Sequence, residues 1–126
     1  MRRALLKVYR PKLRQAYFIA RWKKLQVYCR DKSTWPKALE EAEKLLKRAL
    51  KKQHYKGKSM GEKIVSAQRI FSDNDGLWHA HNMYKKILSG EVKGLKESEI
   101  KDALVDFRQA LRDLGALPKN ESEKSK

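Results

Sequence analysis

The first thirty residues contain no aspartate or glutamate, although they carry ten basic side chains. The chain as a whole is short of several other things. Cys29 is the only cysteine, which excludes an intrachain disulfide and a cysteine-cluster metal site and points to a reducing compartment. Apolar runs are short: the longest uncharged run near the start, Gln15 to Ala20, falls far below the ~20 residues a spanning helix needs. Neither a membrane span nor a secretory apolar region is expected, so the chain reads as cytoplasmic. The phosphate-loop, dinucleotide, serine-hydrolase and zincin motifs are all missing. No strand pattern and no repeat of 20 to 50 residues is visible.

What is present is charge and helical periodicity. The 126 residues hold 31 Lys and Arg against 15 Asp and Glu, a net charge of +16, with 40% hydrophobic and 37% charged residues. That length suits a single core. A protein this basic attracts phosphate-rich partners, and RNA, DNA or an anionic membrane surface is the first to consider. Counted by section, the charge is +10 over residues 1–30, +5 over 31–58, +1 over 59–90, −1 over 91–115 and +1 beyond. The molecule is therefore expected to be electrically polarised.

The strongest element is Trp35 to Gln53. Ala38, Leu39, Ala42, Leu45, Leu46, Ala49 and Leu50 recur at the spacing of one helix face. Pro36 fits a first turn, Ser33 or Thr34 can cap it, and Glu40 and Glu43 stand four residues before Lys44 and Lys47 in the favourable order for ion pairs. Before it, a helix is expected from Pro11 to about Arg30, with Phe18, Trp22, Leu25 and Cys29 facing the core. Ser59 to Glu62 is a capping box for a short third helix packed through Ile64, Val65, Ala67, Ile70 and Phe71. A fourth helix, Gly76 to about Leu88, places Leu77, Ala80, His81, Tyr84, Ile87 and Leu88 on one face. Gly90, Lys93 and Gly94 mark a loop. The last, Glu97 to Leu114, is striped by Ile100, Ala103, Leu104, Phe107, Ala110, Leu111 and Leu114. Gly115 ends it and Pro118 prevents a restart.

An all-α bundle of about five helices follows, with a basic arm over residues 1–11, a bundle domain over 12–115 and a flexible, disordered tail over 116–126. The arm is expected to order on a partner.

The candidate binding residues are the front-end cations Arg2, Arg3, Lys7, Arg10, Lys12, Arg14, Arg21, Lys23, Lys24 and Arg30, interleaved with Tyr9, Tyr17, Trp22 and Tyr28. Arginine forks grip phosphates and exposed tyrosines stack on unpaired bases. A second basic set, Lys47, Arg48, Lys51, Lys52, His54, Lys56 and Lys58, extends the same surface. A solvated helix face is the plainer alternative for both. In KGKSMGEK, a lysine-flanked glycine before a helix start can hold a phosphate, though the capping box accounts for the segment.

Catalytic and metal candidates are few. His54, His79 and His81 are the only groups suited to proton transfer near neutral pH. His79 and His81, two apart, point about 200° from each other on a helix and cannot share a metal. His81 lies on the apolar face and reads as a satisfied core or interface histidine. No cofactor and no metal are expected.

Three stretches, RWKKLQVYCRDKSTWPKALEEAEKLLKRAL, YKGKSMGEKIVSAQRIFSDNDGLWHAHNMYKKI and ALVDFRQALRDLGAL, resemble an uncharacterised bacterial family of small helical proteins over about residues 20–117. In that family the fourth helix reads W-x-x-H-x-[LI]-R-N-x-[IV]-x-H-E, similar to the R-x4-6-H signature of HEPN domains, whose ribonucleases cleave RNA with an arginine and a histidine paired across a helical dimer. Trp78, His81 and Ile87 match. Tyr84 stands for the arginine, Lys85 for the asparagine, Ser89 for the histidine and Gly90 for the glutamate. The resemblance therefore implies a HEPN-like bundle without the cleavage groups, since neither tyrosine nor serine supplies a permanent cation or a near-neutral acid or base. The family's hydrophobic, membrane-anchoring start is replaced here by MRRALLKVYRPKLRQAY.

The leading expectation is a non-catalytic RNA-binding protein, riding on structured RNA such as the ribosome. The alternative is a protein-interaction module, a homodimer or inactive toxin-antitoxin partner acting through Trp78, Met83 and Tyr84 of the fourth helix. A residual ribonuclease using His79 or His81 is the third.

Overall fold

Helix α2, Trp35–Lys52, is the element on which the others pack. Its stripe is buried from Ala38 to Leu50, and Pro36 lies in the first turn as expected. The computed structural model describes residues 9–91 and 94–119. Among these, α1 (Gln15–Gln26), α2, α3 (Met60–Ser66), α4 (Asn74–Ser89) and α5 (Glu97–Asp113) form an all-α bundle without strands. Arg2, Arg3, Lys7, Lys93 and residues 120–126 lie outside the described residues.

Helix α1 starts four residues later than expected. A helix begun at Pro11 would use the Pro11 carbonyl for the Gln15 N–H. That carbonyl instead accepts from Gln53 Nε2 at 3.0 Å, and Arg10 donates to the Gln53 carbonyl at 2.9 Å. The Arg10 guanidinium lies 3.8 Å from the Tyr55 ring centre. The described end of the arm is thus fastened across the end of α2.

Phe18, Trp22 and Leu25 are buried as the spacing requires, while Cys29 is only half-buried. After Gln26 the chain tightens into a 3-10 turn, Val27–Arg30. Its carbonyls receive the next segment: the Thr34 hydroxyl donates to Tyr28 O at 2.7 Å and the Trp35 indole to Cys29 O at 2.9 Å. Neither Ser33 nor Thr34 caps α2 by its side chain. Asp31 caps the intervening turn instead, accepting from the Ser33 N–H and hydroxyl, each at 3.0 Å.

Ser59 caps α3, accepting the Glu62 N–H at 3.1 Å, and Glu62 reaches back to the Lys58 N–H at 2.7 Å. Ile64, Ala67 and Phe71 face the core, but Val65 and Ile70 are exposed. Val65 is turned about 100° from Ile64 on the helix, and Ile70 follows its end at Ser66. Asp73 caps α4 by accepting the Gly76 N–H at 2.9 Å. Leu88, although expected on the apolar stripe, is 66% exposed, while Ile87 beside it packs against the core.

Helix α5 carries its expected stripe into the core and ends at Gly115, whose φ is +84°. Ala116 and Leu117 then bond back to the Leu111 carbonyl and are buried. The bundle therefore extends two residues beyond 115, into what the sequence alone assigns to the tail.

Candidate nucleic-acid interface

Helices α1 and α2 enclose a groove whose walls are mostly cationic. Lys12 and Arg14 approach it from the segment before α1 and Arg21 from α1. Lys44, Lys47, Arg48, Lys51 and Lys52 line it from α2. Arg48 lines all three depressions that make it up, and Lys44, Lys52 and Tyr17 are each common to two of them, so they form one continuous surface. Beyond Lys51 it opens onto the loop with His54, Lys56 and Lys58.

Tyr17 organises the centre. The Arg48 guanidinium lies 4.7 Å from its ring centre and that of Arg21 5.3 Å, with Arg21 Nε donating to the Tyr17 hydroxyl at 3.2 Å. An arginine placed over an aromatic face is held by the negative ring quadrupole and keeps its outer donors free. Tyr17, half-buried and flanked by two cations, is a support for arginines here and not the open stacking platform the sequence suggests. Tyr55 is likewise flanked by Arg10. Tyr9, 75% exposed, is the large aromatic left open to solvent among the described residues.

The groove's cations are little neutralised. Among the described residues, ion pairs join Lys37 and Lys44 to Glu40 and Glu41, Lys101 to Glu97, and His81 to Glu43. Only Lys44 of these belongs to the groove. No other candidate cation has a carboxylate within ion-pair distance among the described residues.

The structure thus divides the candidate residues. Lys12, Arg14, Arg21, Lys51 and Lys52 meet in the groove, and Lys56 and Lys58 stand at its end. Arg10 is engaged in docking the arm. Lys23 faces another cleft, against α5. Lys24 and Arg30 are exposed and line neither. Lys44, assigned from sequence only to an ion pair with Glu40, keeps that pair at 3.3 Å and also lines the groove. Nothing in the sequence brings Arg48 to Tyr17, thirty-one residues earlier, because that contact depends on how α1 lies against α2.

Glu43 does not pair with Lys47. It turns inward, where its Oε2 lies 2.8 Å from His81 Nδ1, both side chains being nearly closed to solvent. His81 is the core histidine its position implies. On α4, Trp78, Met83 and Tyr84 pack against the core instead of standing out as anchors. Burial, with the charges of Glu40 and Glu43 nearby, pushes the Tyr84 hydroxyl above its ordinary range. Ser89 donates to the Lys86 carbonyl at 3.0 Å, and Gly90 ends the helix at φ +79°. Among the described residues no helix is long and apolar enough to cross a membrane.

Fold and surface together define an all-α bundle carrying a cationic groove. No protein-family model, curated protein or solved structure matches the chain.

Proposed function

We propose that this protein binds structured RNA without cleaving it, laying the phosphate backbone along the α1–α2 groove, with ribosomal RNA as the kind of partner that suits it. The observation that carries the reading is the convergence of Lys12, Arg14, Arg21, Lys47, Arg48, Lys51 and Lys52 on one surface with little compensating acid. Backbone contact is favoured over base stacking because Tyr17 and Tyr55 already have arginines on their rings. The non-catalytic part rests on Tyr84 and Ser89, which occupy the arginine and histidine places of the HEPN-like signature that the fourth helix resembles.

Titration of a structured RNA at several salt concentrations tests this. Engagement of six to ten phosphates would lower affinity by roughly 10³ to 10⁵ between about 50 and 200 mM salt. A flat salt response, or no binding at low salt, removes the reading.

The interaction-module alternative, a HEPN-like dimer through α4, draws on the exposed Leu88 at the end of that helix. Light scattering showing a salt-insensitive dimer that ignores RNA would favour it.

A further inference from the structure

Helix α1 has a second cleft, on the side of its buried stripe away from Tyr17 and Arg21. It encloses about 470 Å³ between α1 and α5. Ile19 and Trp22 form an apolar wall on one side, Leu117 and Pro118 on the other. Arg108 and Arg112 of α5 and Lys23 of α1 supply three positive charges, and among the described residues no carboxylate lines the space.

Three donors on its lining residues have no hydrogen-bond partner among the described residues. Trp22 is 7% exposed, and its indole Nε1 is shut from water without a hydrogen-bond partner. The Nε atoms of Arg108 and Arg112 are in the same state. Among the described residues neither guanidinium has an ion-pair partner. The two arginines are four apart on one helix, where like charges oppose each other. Burial first, and the charge of Arg112 second, hold the Arg108 guanidinium below its usual range.

A half-buried pair of cations without a carboxylate partner among the described residues, beside an unpartnered indole N–H, is unfavourable, because desolvated charge and unmade hydrogen bonds both cost stability. A methionine at either arginine would retain the packing stem and relieve the charge. Such an arrangement is favourable once an anion enters. Two adjacent guanidinium groups match a carboxylate or phosphate head, and the apolar walls match a body that inorganic anions lack.

We propose that this cleft is a binding site for a small amphipathic anion, one with a carboxylate or phosphate head and an aromatic or branched apolar body. The head lies against Arg108 and Arg112, with Lys23 at the rim. The body packs on Ile19, Leu117 and Pro118. The site is separate from the α1–α2 groove, and it stands whether or not that groove binds RNA.

Nuclear magnetic resonance on the full chain reads it directly, following the Trp22 indole N–H, identified through Trp22→Phe, during titration with phenyl phosphate, phenylacetate, neutral phenylacetamide and inorganic phosphate. A saturable shift is expected with phenyl phosphate or phenylacetate, and the tighter of the two names the head group. Phenylacetamide should give none over the same range, and inorganic phosphate should bind about tenfold or more weakly for want of an apolar body. Arg112→Met should weaken the preferred anion by about tenfold while its Tm stays level or rises. Arg108→Met serves as the independent variant should Arg112→Met fail to fold. Absence of any saturable shift, equal binding of the amide or of inorganic phosphate, or unchanged binding in a folded arginine variant would overturn the proposal. So would a loss of RNA affinity in Arg112→Met without any response to the small anions, which would assign the cleft to the RNA surface.

Discussion

Glu43 Oε2 and His81 Nδ1 lie 2.8 Å apart with both side chains nearly closed to solvent, joining α2 to α4 inside the bundle. Glu43 Oε1 has no hydrogen-bond partner, so among the described residues the imidazole is the one polar side chain set against this buried carboxylate. Removing one member of a buried pair leaves the other uncompensated, at a cost of about 3 to 5 kcal/mol. Glu43→Ala and His81→Ala should each lose that much in denaturant unfolding. The double change Glu43→Leu/His81→Leu should lose much less than the sum, because no orphan charge remains.

In the groove, Tyr17 holds two arginines in place. Tyr17→Phe keeps the ring and loses only the Arg21 bond, so RNA affinity should fall by less than about threefold. Tyr17→Ala frees both guanidinium groups and should cost about fivefold or more, from two cation-π contacts of roughly 0.5 to 1 kcal/mol each. Arg48→Glu should weaken binding further and reduce the salt slope, whereas Tyr17→Ala should leave that slope nearly unchanged. Filter binding over a salt series separates the two effects.

Two carboxylates should give opposite responses to acid. The Ser33 backbone and hydroxyl bonds hold Asp31 below its ordinary range. Its contribution is therefore present above the unfolded value of about 3.9 and is lost as pH falls through the lower native one. Asp106 is pushed up, first by burial and then by Asp73. Its folded state favours the protonated form, so relative stability is present below the unfolded value and is lost as pH rises through the native one. Asp106→Asn should raise Tm at pH 7, and the gain should vanish in acid. Asp31→Asn should remove part of the acid sensitivity. Thermal melts from about pH 2.5 to 7 give both signs.

Two glycines of the α3 region should respond oppositely to alanine. At Gly57, with φ +149°, an added Cβ would lie 2.6 Å from the Lys63 backbone nitrogen. Gly57→Ala should destabilise by about 1 to 3 kcal/mol, and the nearby bond from Lys63 Nζ to the Gly57 carbonyl should weaken with it. At Gly61 the new Cβ would meet Trp78 at an ordinary 3.4 Å, inside a helix. Gly61→Ala should stabilise by about 0.4 to 1 kcal/mol. Urea unfolding midpoints distinguish the two.

The helices were legible wherever one face carried the information. The α2 and α5 stripes, the Ser59 cap and the Gly115 stop all follow from local spacing and backbone preference. The start of α1 did not, because the Pro11 carbonyl is claimed by Gln53, forty-two residues away. The same holds for Glu43, whose sequence neighbour Lys47 lost to a histidine on another helix. Leu117 was assigned to a tail because Pro118 marks a break, yet the turn after Gly115 returns it to the core. For the groove, the sequence supplied nearly all the cations but could not sort them between the two flanks of α1. Lys23 and Arg21, two residues apart, face different clefts. The α1–α5 cleft had one faint signal, the arginines at 108 and 112 without an acid between them on that face.

The corner between α1 and α2 is fastened by Trp35 and Thr34 to the carbonyls of the preceding turn. Those bonds fix the angle at which the two helices diverge, and with it the distance across the groove. A ligand arriving there meets a surface of set width. Conformational freedom is surrendered when the chain folds and not on association, so on the proposed reading RNA helices would be sorted by rejection of what is too wide or too narrow.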